Sequence, residues 1–353
     1  MRLLVVIPTF EPSFEPNEQL EAYYRVNFDA WLRADGAIEP HVLFSDFKSS
    51  EAYREFLRRY ADEYRGRVSI LEGAEPLGSF QAFNVAIRSV DYDLVVWAAS
   101  DTRPRDGAWV SQVMADFADP DVVAVIPTAT EDGAACLPQT QQGALDRASM
   151  RVELPRFFQL VVGVFHRRML EPFSHRLCDR LKDMGNEKGV MWQAEAVGGK
   201  VMLNHRFNVI HERYYDSGRY NWKAATHTYR RDRSAESAFS RAASAFLPAP
   251  GGWVQWQEPV LEDLRSGWRE KGLRGIARVL YIRWRRNPVF YILKMRTMPY
   301  TDFVPEKLAA GHQLKAFRAL DPATRIALVE ALYMGAEQEL RGAEAVCVKR
   351  VPS

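Results

Sequence analysis

Short apolar runs alternate with amphipathic stretches through the first half of the chain. Leu3, Leu4, Val5, Val6 and Ile7 form an unbroken aliphatic run that stops at Pro8, which predicts a buried strand opening into a loop. Helical spacing follows over residues 17–33, with Leu20, Tyr23, Tyr24, Phe28, Trp31 and Leu32 on one stripe. Residues 41–46 read as a second strand that ends on Asp46, and residues 49–64 as a charged helix. A third strand is predicted at 68–71, and Gly78 marks a helix start with Asn84 about two turns in. The run Leu94, Val95, Val96, Trp97 then ends abruptly in Ala98, Ala99, Ser100, Asp101 and Thr102. Strands that alternate with helices predict a mostly parallel sheet flanked by helices.

The pattern is less regular further on. Residues 121–127 read as another buried strand, and 128–145 as a long polar loop. Residues 157–168 are apolar, and a helix is expected to run to Val197 with Gly198 and Gly199 as its stop. Residues 200–204 and 207–211 read as strand material that ends in His211. Residues 247–252 (Leu-Pro-Ala-Pro-Gly-Gly) resemble a linker, beyond which the chain reads as mostly helical, with a last amphipathic helix over 322–340. This gives an expected sheet-bearing unit at 1–246 and a helical region at 253–353.

Composition narrows the class. The chain has 353 residues, 47% hydrophobic and 26% charged, ordinary for a globular protein. A net charge of +2 argues against a polyelectrolyte binder, and no nucleic-acid motif accompanies the basic segments. Cys136, Cys178 and Cys347 are widely spaced, with no CxxC pair, so neither a zinc site nor a disulfide framework is expected. The chain starts on a strand with no leader-like stretch before it, and no apolar run reaches the roughly 18 residues that span a bilayer. A cytoplasmic protein is expected, with a candidate peripheral contact at the inner face of the membrane. That contact would use residues 264–296, rich in Arg and aromatic residues; a helix packed on the catalytic unit, with a charged outer face, is the other reading of this segment.

Acids gather at the predicted strand ends. Thr9 and Glu11 follow the first strand, Asp46 ends the second and Asp101 follows the fourth, so all would meet at one rim of the sheet. Open α/β sheets bind ligands at that rim, and a carboxylate there can hold a hard divalent cation with a diphosphate. Taken alone, Asp101 would equally suit a helix cap or a turn.

The ordered set of Val5-Val6-Ile7-Pro8-Thr9-Phe10, strand-end Asp46, Gly78-x5-Asn84 and Ser100-Asp101-Thr102-Arg103-Pro104 resembles the nucleotide-binding half of GT-A glycosyltransferases of the family-2-like group. The resemblance implies a GT-A fold, Rossmann-like, with a mostly helical C-terminal extension. It implies donor contacts from Pro8, Thr9, Glu11, Asp46, Gly78, Asn84, Ser100 and Asp101. It also implies a divalent cation, Mn or Mg, on Asp101 and His211. The family's D-x-D is here Ala99-Ser100-Asp101, so its first acid is missing, and Glu11 stands where the family carries Asn. Glu187 best matches the family's general base, ahead of Asp183 and Glu195; as a bare residue it would equally suit a helix N-terminus. Arg213, Arg219 and Lys223 fall in the segment that closes over the diphosphate in the family.

The resemblance therefore implies an inverting, hexosyltransferase-like enzyme. It would move a sugar from a nucleoside-diphosphate donor to a hydroxyl acceptor, a glycan or lipid-linked glycan, in cell-surface polysaccharide or glycoconjugate synthesis. Two alternatives are a non-catalytic sugar- or partner-binding relative and a nucleotidyltransferase. The second is disfavoured because the loop after the first strand lacks the Gly-rich, Lys- or Arg-bearing phosphate cradle.

Overall fold

The computed structural model describes residues 1–12, 14–131, 134–135, 150–152, 160–180, 187–211, 268, 273–274, 276–277, 317–335 and 345–349. The chain opens with β1 (Leu3–Thr9), α1 (Glu18–Leu32), β2 (Pro40–Phe47), α2 (Glu51–Glu63), β3 (Val68–Gly73), α3 (Ser79–Ser89) and β4 (Leu94–Ala98). Then come β5 (Thr102–Pro104), α4 (Trp109–Phe117), β6 (Val122–Glu131), β7 (Ala134–Ala135), β8 (Met150–Val152), β9 (Val162–His166) and the short α5 (Arg167–Leu170). The last described elements are α6 (Glu187–Ala196), β10 (Lys200–His211), α7 (Pro322–Tyr333) and β11 (Ala345–Lys349).

Local chemistry sets the helix starts. Asn17 accepts the Leu20 N–H at 2.8 Å to cap α1, and Ser50 accepts the Tyr53 N–H at 3.3 Å to cap α2. Asp321 accepts the Thr324 N–H at 3.0 Å and precedes Pro322 in the first turn of α7. At α3 the cap is Gly78, whose N–H is taken by Gln81 Oε1 at 3.2 Å. Gly198, at φ +72°, follows α6 in the left-handed conformation that glycine tolerates best.

The described strands form one mixed sheet in the order β11-β3-β2-β1-β4-β9-β6-β10-β5, with β7 on β6 and β8 on β10. The β3-β2-β1-β4 block is parallel, as the alternating pattern predicts. Two features depart from that pattern. Strand β9 is inserted antiparallel between β4 and β6, and β11 adds an antiparallel edge to β3. The C-terminal part expected to be helical therefore also supplies a sheet edge. Residues 128–131, expected in a loop, continue β6; 132–133 and 136–145 lie outside the described residues. The two strand pieces expected at 200–211 are one strand with a register shift between Asn204 and Asn208.

Each face of the sheet is covered by its own apolar layer. Leu3, Val5, Ile7, Phe44 and Val96 pack against Phe28 and Trp31 of α1, Phe56 and Tyr60 of α2 and Trp109 of α4. Leu4, Val6, Val95 and Trp97 pack on the other side with Phe80 and Phe83 of α3, Trp192 of α6, and Phe317, Val329 and Tyr333. Residues 317–335 thus share the core of the sheet-bearing unit. The expected boundary at 246–253 and all but a few residues of 264–296 lie outside the described residues. Among the described residues no helix is long and apolar enough to cross a membrane.

Candidate nucleotide-sugar site

The parallel register brings the polar strand ends together. Thr9 lies opposite Asp46, and Asp46 opposite Glu72, so one row of polar side chains crosses the carboxyl ends of β1, β2 and β3. The Thr9 hydroxyl donates to Asp46 Oδ2 at 2.9 Å. Asp46 is fully buried, and its Oδ1 also accepts from Arg54 Nε at 2.9 Å and from the Ser49 N–H at 3.3 Å. Lys48 takes φ 74° in the turn between them, which brings the Ser49 N–H back toward that carboxylate. One turn along α2, Arg58 holds Glu72 through two bonds of 2.9 and 2.7 Å. Asp46, expected to face the base, thus carries three bonds within the protein, one of them to Arg54.

Glu11 is held differently. Its backbone N–H donates to Ser49 Oγ at 2.8 Å, and its Oε1 accepts from the Tyr24 hydroxyl at 2.6 Å. Burial pushes its carboxyl up to about 7; the Asp101 and Asp46 charges add to the rise and the Tyr24 bond opposes it. Glu11, Asp46 and Asp101 thus share one electrostatic neighbourhood. Phe10, between Thr9 and Glu11, is 46% exposed at this rim.

After β4 the chain turns through Ala99, Ser100 and Asp101. The turn is closed by the Thr102 N–H donating to the Ala99 carbonyl at 3.0 Å, with the Thr102 hydroxyl on the same oxygen at 2.6 Å. Strand β5 then pairs antiparallel with the end of β10, placing His211 opposite Thr102. His211 Nε2 lies 3.2 Å from Asp101 Oδ2, and both side chains are mostly buried. A carboxylate and an imidazole side by side are chemically suited to a hard-to-borderline divalent cation. Among the described residues no group of three or more His, Cys, Asp or Glu side chains could hold a metal ion, so such a cation would take further oxygens from its ligand.

The remaining sequence-predicted residues separate by position. Pro8 is half-buried near the end of β1, and Ser100 is half-buried in the turn beside Asp101. Gly78 caps α3, and Asn84 is fully buried. The Asn84 amide bonds the Leu177 carbonyl at 2.7 Å, the Leu177 N–H at 2.8 Å and Asp179 Oδ2 at 2.9 Å. It is thus a tie between α3 and the chain before α6. Glu187 is the first residue of α6; Asp183, Arg213, Arg219 and Lys223 lie outside the described residues. The expected alternative base, Glu195, is bonded to Arg318. Sequence reasoning missed Tyr24 and Arg54, the partners of Glu11 and Asp46. The available signal was Arg54 and Arg58, one turn apart on α2, between two strands that each carry an acid at the penultimate position, Asp46 and Glu72.

Residues 16–170 match the family model described as glycosyl transferase family 2. The mannosyltransferase PcManGT from Pyrobaculum calidifontis, solved with GDP-Man and Mn2+, superposes with a TM-score of 0.51 at 15% identity, over 94% of this chain and 86% of that one. S. aureus TarS 1–349 with UDP gives a TM-score of 0.47 at 12% identity, over 60% of this chain and 61% of that one. The S. aureus TarS structure gives 0.46 at 11% identity, and the match covers only 37% of that longer chain. No curated protein sequence matches the chain. Residues 16–170 are thus similar to glycosyl transferase family 2, and the chain has a fold of the GT-A kind.

Proposed function

We propose that the protein is an inverting glycosyltransferase that uses a nucleoside-diphosphate sugar and a hydroxyl acceptor. The observation that carries the reading is the convergence of Glu11, Asp101 and His211 at the carboxyl rim of the sheet, with Asp101 and His211 3.2 Å apart. The nucleoside would lie along the Pro8–Glu11 segment, where the exposed ring of Phe10 offers a flat apolar surface to a base. The diphosphate would lie toward Asp101, Ser100 and His211.

A divalent cation, Mn or Mg, fits Asp101 and His211 as two of its ligands, and would supply positive charge to the leaving diphosphate. The Mn2+ in PcManGT, a structure that shares the fold, is consistent with that choice. Glu187 would accept the proton of the acceptor hydroxyl. The acceptor oxygen then bonds to the anomeric carbon from the side opposite the diphosphate. The bond from that carbon to the diphosphate breaks, and the nucleoside diphosphate leaves with the electron pair. Arg213, Arg219 and Lys223 would face the departing charge.

We assign the acceptor to the glycan or lipid-linked-glycan class, in cell-surface polysaccharide or glycoconjugate synthesis, with residues 264–296 as the candidate contact with an anionic membrane surface. Three widely spaced cysteines with no CxxC pair support a cytoplasmic site of action. The test is sugar release from UDP-, GDP- and dTDP-sugars by the full chain and by Glu187→Gln. Loss of transfer with nucleotide binding retained supports the assignment, and full transfer by Glu187→Gln refutes Glu187 as the base.

A further inference from the structure

We infer that the C-terminal segment Phe317–Gly335 is a positioning element for the catalytic side of the cleft, holding the helix that begins with Glu187. The inference rests on the reading of Glu187 as the acceptor's base. Three contacts spaced along α6 carry it. At the first turn, Gly189 is buried so tightly that a Cβ there would meet Cys178 Cβ and Sγ at 2.8 Å and Tyr333 Cδ1 at 2.9 Å. In the middle, the Trp192 and Phe317 rings pack edge-on with centroids 4.9 Å apart. At the last turn, the Arg318 guanidinium binds the Glu195 carboxylate, and Arg325 Nη1 donates to the Glu195 carbonyl at 3.3 Å. Residues 189, 192 and 195 recur every three positions, so one face of α6 is held along its length.

The far end of α7 is fixed to the chain that leads into α6. The Arg180 N–H donates to the Tyr333 carbonyl at 3.2 Å, and the Gly335 N–H donates to Asp179 Oδ1 at 2.8 Å. Arg176 Nη2 bridges Asp179 and the Gly335 carbonyl at 2.8 and 2.9 Å. Gln193 of α6 closes the loop, donating to the Arg176 carbonyl at 2.6 Å and accepting the Cys178 N–H at 3.2 Å. Asp179, Arg176 and Gln193 are all buried, so the polar network allows few alternative arrangements. Both helices lie beyond residues 16–170, the part of the chain that matches the family model.

An element that only stabilises the fold would lower Tm and leave the turnover of folded enzyme intact. An element that positions Glu187 lowers kcat while donor binding persists, because small displacements of a reacting group cost much in rate. The experiment uses the full chain with Tyr333→Ala, Gly189→Ala, Tyr333→Phe and the surface variant Arg318→Ala. Folded enzyme is counted by nucleoside-diphosphate binding. We expect Tyr333→Ala and Gly189→Ala to lower kcat by roughly tenfold or more with nucleotide Kd within about twofold of the parent. Tyr333→Phe, which keeps the ring against Gly189, should restore kcat, and Arg318→Ala should show a smaller loss in kcat alone. Unchanged kcat per folded enzyme in these variants, or a parallel loss of nucleotide binding, overturns the inference. If Tyr333→Ala does not fold, Arg318→Ala decides by the same two criteria. Full activity of Glu187→Gln, by contrast, removes the base assignment and leaves the docking geometry standing.

Discussion

Asp101 follows β4 and His211 ends β10, far apart in the sequence, yet their side chains lie 3.2 Å apart. The β5–β10 pairing that sets His211 opposite Thr102 produces the contact. Their joint role can therefore be tested apart from the fold. Asp101→Asn and His211→Ala should each lower sugar transfer by about a hundredfold or more, through lost stabilisation of the leaving diphosphate. Circular dichroism should keep the folded spectrum, because neither side chain belongs to the apolar layers on the sheet. Transfer that survives both substitutions would detach this pair from the chemistry.

Asp46 is expected to behave as a structural acid. Its three partners and complete burial mean that Asp46→Ala leaves the Arg54 guanidinium and the Thr9 hydroxyl short of a partner. We expect a loss of about 3 kcal/mol in urea unfolding of the ligand-free protein, at the low end for a broken buried pair because Arg54 is partly solvated. A loss seen only in nucleotide affinity, with unfolding unchanged, would return Asp46 to the donor site.

Glu11 links stability to pH. Its carboxyl is raised to about 7 from an ordinary 4.5, so the folded protein holds the proton more tightly than the unfolded chain does. The favourable contribution is complete below about pH 4.5 and is lost as pH rises through 7. Glu11→Gln should therefore raise Tm relative to the parent at pH 8 and change it little at pH 4.5–5. A constant Tm difference across that range would contradict the assignment.

Asn84→Ala removes three buried hydrogen bonds at once. It should cost about 2–3 kcal/mol, the scale for leaving buried polar groups unpaired. It should also loosen the 177–180 segment, read as faster amide exchange at Leu177, whose N–H is donated to Asn84. Unchanged protection of that amide would show that the tie carries no energy.

What was legible in the sequence follows from the range of each interaction. The helix starts were readable because Asn17, Ser50 and Asp321 act on backbone groups a few residues away. The β3-β2-β1-β4 block was readable because alternating strands and helices constrain their neighbours. The strand-end acids were readable as a group for the same reason. The antiparallel insertion of β9 and the edge strand β11 were not, because apolar runs state burial and not partner or direction. The commitment of Asp46 to Arg54 and of Asn84 to Asp179 also escaped, since each partner sits on a separate element. In each case the pairing is set by a tertiary partner that the local pattern does not name.

The most direct measurement is calorimetric titration of the full chain with UDP, GDP and dTDP, each with and without Mn2+, in the parent and in Asp101→Asn. One nucleoside diphosphate is expected to bind in the micromolar range, more tightly with Mn2+, and Asp101→Asn is expected to lose the Mn2+ dependence. Absence of binding by every nucleoside diphosphate, or Mn2+-enhanced binding undiminished in Asp101→Asn, would contradict the proposed function.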